Sequence, residues 1–491
     1  MWTEFFRYED YVAIKPEIVL SIFAIGILIT DFMLEKRDKY LNAVTALVGL
    51  GLAGTAVVLD WYRRGGFPYH GFGGAIVNDD FFTFFSLIFI ASTALVVLIS
   101  IRYLEIEGAH YGEYYALLLF SVVGMMFLAC GTDLIVLFMA LELMAVSGYI
   151  LAGFLRQERR SNEAALKYFL LGAFSSGILL YGMSLLFGLS GSTQISVIAQ
   201  RLAEPSANGP ITWLAMITVA VGLFFKVAAA PFHQWTPDAY EGAPTTVTAF
   251  MSVAPKAGAF ALLLRMFLDC IWPLRADWQI FVIAVAVITM TVGNLAALTQ
   301  DNIKRLLAYS TIAHVGYILL GLVAAADGSS TGLQGMAIYL LVYAFTTLGA
   351  FSVIVALRRK NCIGDQVDDM SGLYEKAPGS AFLMLIFLLS LAGIPPTAGF
   401  IGKYFIFLAL IETGHYTLAV LAVLYVVVAI FYYFRIVVAM FMKPAPDAER
   451  LSFSPGILVT LAVTLVLTLG IGILPNWFIL KAEQAVRPFL Q

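Results

Sequence analysis

The sequence predicts an all-α integral membrane protein, and three observations carry that prediction. The chain has 491 residues, 61% hydrophobic and only 12% charged, with mean hydropathy +0.89; soluble domains carry about 25% charged residues. Apolar runs of bilayer length follow one another from residue 17 to residue 474. Four lysines, Lys167, Lys226, Lys256 and Lys403, stand inside those runs. A lysine at the centre of a span costs roughly 2.5–3.5 kcal/mol on insertion scales, so four facing lipid would cost about 10–14 kcal/mol. They are expected to face a protein interior, and intramembrane ionisable groups point to transport or proton relay.

The runs lie at 17–34, 41–60, 80–101, 114–129, 133–154, 163–190 and 211–230. They continue at 244–270, 278–298, 303–322, 335–357, 381–411, 418–442 and 456–474. That predicts about fourteen transmembrane helices. Short loops make neighbours antiparallel and leave no room for a soluble domain. The stretch 61–78, rich in glycine and aromatics, is expected to form a small hairpin. The tail 476–491 reads as a short interfacial helix, with Trp477, Phe478 and Leu480 beside Lys481 and Arg487. The N-terminus shows no basic n-region or cleavage site, so the first span is expected to be retained.

A net charge of −3 gives no reason to expect nucleic acid. Cys130, Cys270 and Cys362 are far apart, with no metal-ligand spacing, so disulfides, zinc and iron–sulfur clusters are not expected. Loops after odd-numbered spans hold fifteen lysines and arginines; the opposite side, termini included, holds eight. The positive-inside rule then places both termini in the periplasm of a bacterium, with the chain multi-pass in the inner membrane.

Two spans carry proline breaks. Pro231 cannot donate to the carbonyl of Val227, next to Lys226; Pro395 and Pro396 strip the carbonyls of Leu391 and Ala392 of their usual partners, just before Lys403. Non-helical backbone at membrane depth survives only when buried in protein or lining a wet cavity. Spans four to eight and nine to thirteen form two sets of five, with the broken helix, seventh and twelfth overall, fourth in each. Because five is odd, the second set would run inverted, as in inverted-repeat transporters. The expected divisions are 1–112 (three helices), 113–275 and 276–445 (the two repeats), and 446–491 (the last helix and tail). Ordinary transmembrane kinks are the plainer reading of either proline break alone.

The charged residues are weighed singly. Glu142, in FMALELMAVSGY, would be protonated or paired with a cation. Lys226 has Gly222 one turn earlier, which gives it room. Lys167 lies little more than a turn inside its span, so snorkelling to the cytoplasmic surface competes with function. Lys256 follows Pro255, whose freed carbonyls it could bond. His314 shares a polar stripe with Ser310 and Tyr317, and is either a packing residue or a relay. Lys403 has span on both sides of it, which disfavours snorkelling. His233, Asp238 and Glu241 match no metal motif and read as the polar cytoplasmic end of the seventh span. Arg265 and Arg435 are expected to snorkel, and Asp133 to cap the fifth span.

The stretch KVAAAPFHQWTPDAYEGAPTTVTAFMSVAPKAGAF resembles the antiporter-like subunits of respiratory complex I, and among them the subunit N type of bacterial NADH–quinone oxidoreductase. MALELMAVSGYILAGF, NEAALKYFLLGAFSSGILLYG, GNLAALTQDNIKRLLAYSTIAHVGYILLG and LAGIPPTAGFIGKYFIF support it. The TPDAYEGAPT core sets this type apart from its two larger paralogues. The chain also stops soon after the fourteenth span, so the lateral helix of the largest paralogue is not expected.

The resemblance implies fourteen helices, two inverted repeats and a proton path along the midplane. It implies a coupled pair, Glu142 and Lys226, modulated by Lys167; a connecting Lys256; His314 on the polar helix of the second repeat; and Lys403 on the broken twelfth helix. It implies that this chain holds no cofactor or metal, with NADH, FMN, iron–sulfur clusters and quinone in partner subunits. The other membrane subunits, including the paralogues, are the expected partners. The reading is a proton-translocating subunit of NADH:quinone oxidoreductase. The alternatives are an Mrp-type cation/proton antiporter subunit and a scaffold whose buried charges are paired and silent.

Overall fold

The computed structural model describes residues 8–205, 209–358, 364–445 and 453–490. Arg7, Arg359, Lys360, Arg450 and Cys362 lie outside the described residues. Helices run Lys15–Asp31, Tyr40–Arg64, Asp80–Glu107, Gly112–Cys130, Leu134–Ala152, Arg159–Ser190 and Pro210–Val227. After a break come Trp235–Gly242, then Thr245–Leu264, Arg275–Ala297, Ile303–Ala326 and Ser330–Leu357. The twelfth span is divided into Pro378–Ala392 and Ala398–Glu412, followed by Tyr416–Met442 and Pro455–Ile473. Among the described residues twelve helices are long and apolar enough to cross a membrane. Lys15–Asp31, with 17 residues, and the two 15-residue halves of the twelfth span are each shorter than a full crossing, which takes about 20 residues. The all-helical polytopic fold and both discontinuities stand as the sequence predicts.

The helices are not equally buried. The most apolar 18 residues of the eleventh span, Ser330–Leu357, are all buried, and those of the eighth and tenth are 94% buried, against 28% for the thirteenth. A helix hydrophobic on every side belongs inside a helical assembly. The three central spans carry Lys256, His314 and the tyrosines around it, and the two broken spans pack beside them. This places every residue of the predicted row, except Glu142 and Lys167, at the protein's centre.

The expected hairpin forms, with Tyr69–Gly71 antiparallel to Ile76–Asn78. The tail is the helix Asn476–Val486, and the Lys481 ammonium lies 4.2 Å from the centre of the Trp61 ring. The tail therefore packs on the face that carries the hairpin. Asp133 caps the fifth span as expected, accepting from the Ile135 amide at 2.8 Å.

Arg265 departs from expectation. It does not snorkel: it is 3% exposed and ion-paired to Asp79 at 2.6 Å and Asp269 at 3.2 Å. It also donates to the Ala129 carbonyl at 3.0 Å and lies against the Phe81 and Phe489 rings, which meet each other edge-on. The cause is the tertiary fold, which brings Asp79 from the start of the third span to the end of the eighth. Arg435 reaches the surface but is held there by the Leu298 carbonyl and by Asp301. Cys130 and Cys270 are buried and free.

Candidate functional site

The seventh span ends at Val227 because Ala228 turns left-handed (φ 64°) and Pro231 has no N–H to give. The Val227 carbonyl, freed by that proline, accepts the Lys256 ammonium at 2.9 Å. The plainer alternative for Lys256, bonding the carbonyls freed by its own neighbour Pro255, does not hold; it serves the break in the adjacent span instead. Trp235, at the start of the lower half-helix, donates across the break to the Phe225 carbonyl at 3.0 Å. Its ring centre lies 5.0 Å from the Lys256 ammonium.

Lys226 is 8% exposed. Its ammonium donates to Ser176 Oγ at 3.0 Å and Tyr149 Oη at 3.3 Å. A Cβ on Gly222 would fall 2.5 Å from Leu179 Cβ, so this glycine lets the sixth and seventh spans close around the lysine. Glu142 is half-buried and makes no ion pair with Lys226 among the described residues, and its Oε1 is buried without a partner.

Lys167 lies apart from this group. Its side chain is 43% exposed, and it pairs with Glu163 at 2.9 Å and Asp238 at 2.8 Å. Arg305 joins the network through Asp238 at 2.6 Å and Glu241 at 3.0 Å. These residues and Arg160 line a crevice of about 290 Å³ at the expected cytoplasmic face. Asp238 and Glu241 thus form the polar end expected of them; His233, whose Nδ1 is buried without a partner, does not join them.

Burial raises the Asp238 carboxyl, and hydrogen bonds and charge from Lys167 and Arg305 more than offset that, leaving it below its ordinary value of 3.8. A depressed carboxyl stabilises the fold above its ordinary value and loses that contribution as pH falls through the depressed one. Asp238→Asn is therefore expected to lower stability by ~1 kcal/mol or less, given its exposure. The loss should be constant above the ordinary carboxyl range and vanish in acid, as thermal unfolding against pH would show.

In the second half, the carbonyls freed by Pro395 and Pro396 both accept the Lys403 ammonium, Leu391 at 2.9 Å and Ala392 at 2.8 Å. Lys403 is 4% exposed. Gly393, at φ 85°, ends the first half-helix, and a Cβ there would meet Lys403 Cδ at 2.7 Å. Gly393→Ala combines left-handed strain with that clash, and is expected to cost about 1–3 kcal/mol and to dislodge Lys403. Thermal unfolding of the variant measures the first, and its structure around Lys403 the second.

His314 is wholly engaged, with Nδ1 2.7 Å from Tyr339 Oη and Nε2 3.1 Å from Tyr433 Oη. A cavity of about 10 Å³ separates it from Lys403, lined also by Tyr343, Thr346 and Ser390. That is near the volume of one water-sized probe. Among the described residues no hydrogen bond joins Lys256 to the His314 group. The geometry thus sets Lys226 and Lys256 on the two sides of one break, with Lys256 on the carbonyl of the residue after Lys226, and His314 and Lys403 on one cavity, as two groups.

Sequence reasoning missed several participants. Lys304 was expected in a loop, but it sits in the first turn of the tenth span, buried, donating to the Ala243 carbonyl at 2.9 Å. Tyr149, Ser176, Tyr339 and Tyr433 hold the key side chains, yet tyrosine and serine carry no mark of burial. For Tyr149 one signal existed, since it lies seven residues, two turns, from Glu142. Among the described residues no group of three or more His, Cys, Asp or Glu is placed to hold a metal ion.

Fold and site together define a polytopic helical membrane protein built around two broken spans and a set of buried lysines. Residues 131–429 match the family model described as NADH:quinone oxidoreductase/Mrp antiporter, transmembrane. NADH-quinone oxidoreductase subunit N 1 of Koribacter versatilis is 55% identical, over 96% of this chain and 94% of that one. A chain in the structure of respiratory complex I from Thermus thermophilus is 33% identical, with TM-score 0.80 over 95% of this chain and 99% of that one. A chain of the Mrp complex from Dietzia shares the fold, with TM-score 0.84 at 20% identity over 99% and 98% of the two chains. The chain belongs to the NADH:quinone oxidoreductase/Mrp antiporter membrane family, in its NADH-quinone oxidoreductase subunit N group.

Proposed function

We propose that this chain translocates protons within an NADH:quinone oxidoreductase of the bacterial inner membrane, driven by quinone reduction in other subunits. Glu142, Lys226, Lys256, His314 and Lys403 form the relay, and Lys167 modulates it from the cytoplasmic side. The termini face the periplasm, 113–275 and 276–445 act as inverted repeats, and the paralogous membrane subunits are neighbours. The names of the relatives support the assembly.

One observation carries the relay. Among the described residues Lys226, Lys256 and Lys403 are buried, yet none pairs with a carboxylate; hydroxyls and backbone carbonyls hold all three. A silent scaffold would need its buried cations neutralised, because an uncompensated buried charge costs several kcal/mol. An ammonium on neutral acceptors can instead give up its proton when a neighbouring charge changes, and each transfer alters the next site. In this reading the break carbonyls hold Lys256 and Lys403 in place in the charged form. The Mrp-type reading shares the fold but not the subunit N relatives.

The test is Glu142→Gln in the complete complex reconstituted in proteoliposomes. Electron transfer from NADH should persist while protons moved per NADH fall. Unchanged pumping, or failure of this chain to copurify with NADH-oxidising subunits, would count against the reading.

A further inference from the structure

The two expected members of the charged pair do not touch, and a specific side chain stands where the contact would be. Tyr149 lies two turns along the fifth span from Glu142, about 10 Å by helical rise and on the same face. Its hydroxyl, not the carboxylate, receives the Lys226 ammonium.

The position of that hydroxyl is built rather than incidental. A Cβ on Gly172 would lie 2.1 Å from Tyr149 Oη, so the sixth span leaves a notch that only glycine permits. The Tyr149 ring meets Tyr168 edge-on at 4.6 Å, and Tyr168 stacks on Trp235 at 4.4 Å. Trp235 bonds across the break to the carbonyl of Phe225, the residue before Lys226. The contacts form a closed circuit that returns to the lysine. Meanwhile Glu142 Oε1 is buried with no partner. The Lys226 ammonium is thus shared between the Ser176 and Tyr149 hydroxyls, and on the Tyr149 face of the fifth span Glu142 Oε1 stays open among the described residues.

We propose that Tyr149 is a positioning residue for Lys226: seated in the Gly172 notch, its hydroxyl holds the ammonium off Glu142 and makes formation of that ion pair a controlled step. The proposal rests on the relay described above and deepens it. Without the Tyr149 hydroxyl the ammonium keeps Ser176 as its acceptor but loses the contact that holds it off the fifth span, and Lys226 swings toward Glu142. A standing ion pair favours the charged lysine, so proton release requires more alkaline conditions.

The test uses the intact complex in proteoliposomes, with NADH-driven proton pumping and NADH oxidation followed together across pH. Tyr149→Phe keeps the ring and its packing. It should lower protons per NADH and move the alkaline limb of the pumping profile up by about one pH unit. Gly172→Ala, which drives the hydroxyl from its notch by another route, should move the limb the same way. A purely packing role would lower amplitude without displacing the limb. Wild-type profiles for both variants, or lowered amplitude with the limb unmoved, overturn the proposal. Lys226→Ala separates the two levels: if it abolishes pumping while both variants match wild type, only the Tyr149 assignment fails. If Lys226→Ala also pumps normally, the relay itself fails.

Discussion

Lys226→Ala is expected to abolish the proton translocation carried by this subunit while leaving the complex assembled and oxidising NADH. The substitution removes a buried cation held, among the described residues, by two hydroxyls, Tyr149 and Ser176. Taking away a buried charge that no carboxylate answers leaves no orphaned ion behind, so the fold has no electrostatic reason to fail. The loss of aliphatic stem opens a modest cavity, costing about 1–3 kcal/mol in a well-packed site. That is tolerable in a helical assembly of this size. Function and stability should thus part company: thermal unfolding shifts little, and protons per NADH drop. Wild-type pumping by assembled Lys226→Ala complexes would remove Lys226 from the relay.

Arg265→Ala is expected to do the reverse. Its guanidinium bonds Asp79, Asp269 and the Ala129 carbonyl while packed against two phenylalanine rings. Asp79 is itself buried and caps the third span through the Phe82 amide at 2.8 Å. Removing one partner of a buried pair costs about 3–5 kcal/mol, because the other charge is left uncompensated. The third and eighth spans and the tail that covers them should loosen together. The expected result is a steep drop in the amount of folded subunit in the membrane and in the thermal stability of what remains. Arg265→Lys keeps the charge but loses the forked geometry, so it should fall between. Unaltered stability of the alanine variant would show that Asp79 finds another partner.

The contrast between these residues shows what a single sequence can reveal here. The breaks were legible because proline removes a donor wherever it sits, and the carbonyls of Val227, Leu391 and Ala392 were identifiable as free before any geometry. Which cation would fill them was not. Lys403 serves its own span, twelve and eleven residues back, whereas Lys256 crosses to a neighbouring one. Helix rotation decides such matters, and these spans give little sign of it: core-facing and lipid-facing residues are equally apolar, so the period that marks an inward face in soluble helices fades. For the same reason Lys304 passed for a loop charge and Arg265 for a snorkelling one, while Lys167, read beside the coupled pair, turned toward the surface network of Asp238. Charge at a helix end looks alike in sequence whether it reaches water or a buried partner.

The division into two clusters sharpens what the relay requires. Lys256 reaches the break of the seventh span at the carbonyl of Val227, the residue after Lys226, and His314 and Lys403 line one water-sized cavity. The join between Lys256 and His314 must be made by water or by movement of the central spans. A map of the assembled complex, at a resolution that shows ordered water, tests this most directly. The account predicts a chain of waters and hydroxyls running from Glu142 through Lys226, Lys256 and His314 to Lys403 in at least one functional state. Dry, close-packed side chains between Lys256 and His314 in every state of the working complex would contradict it.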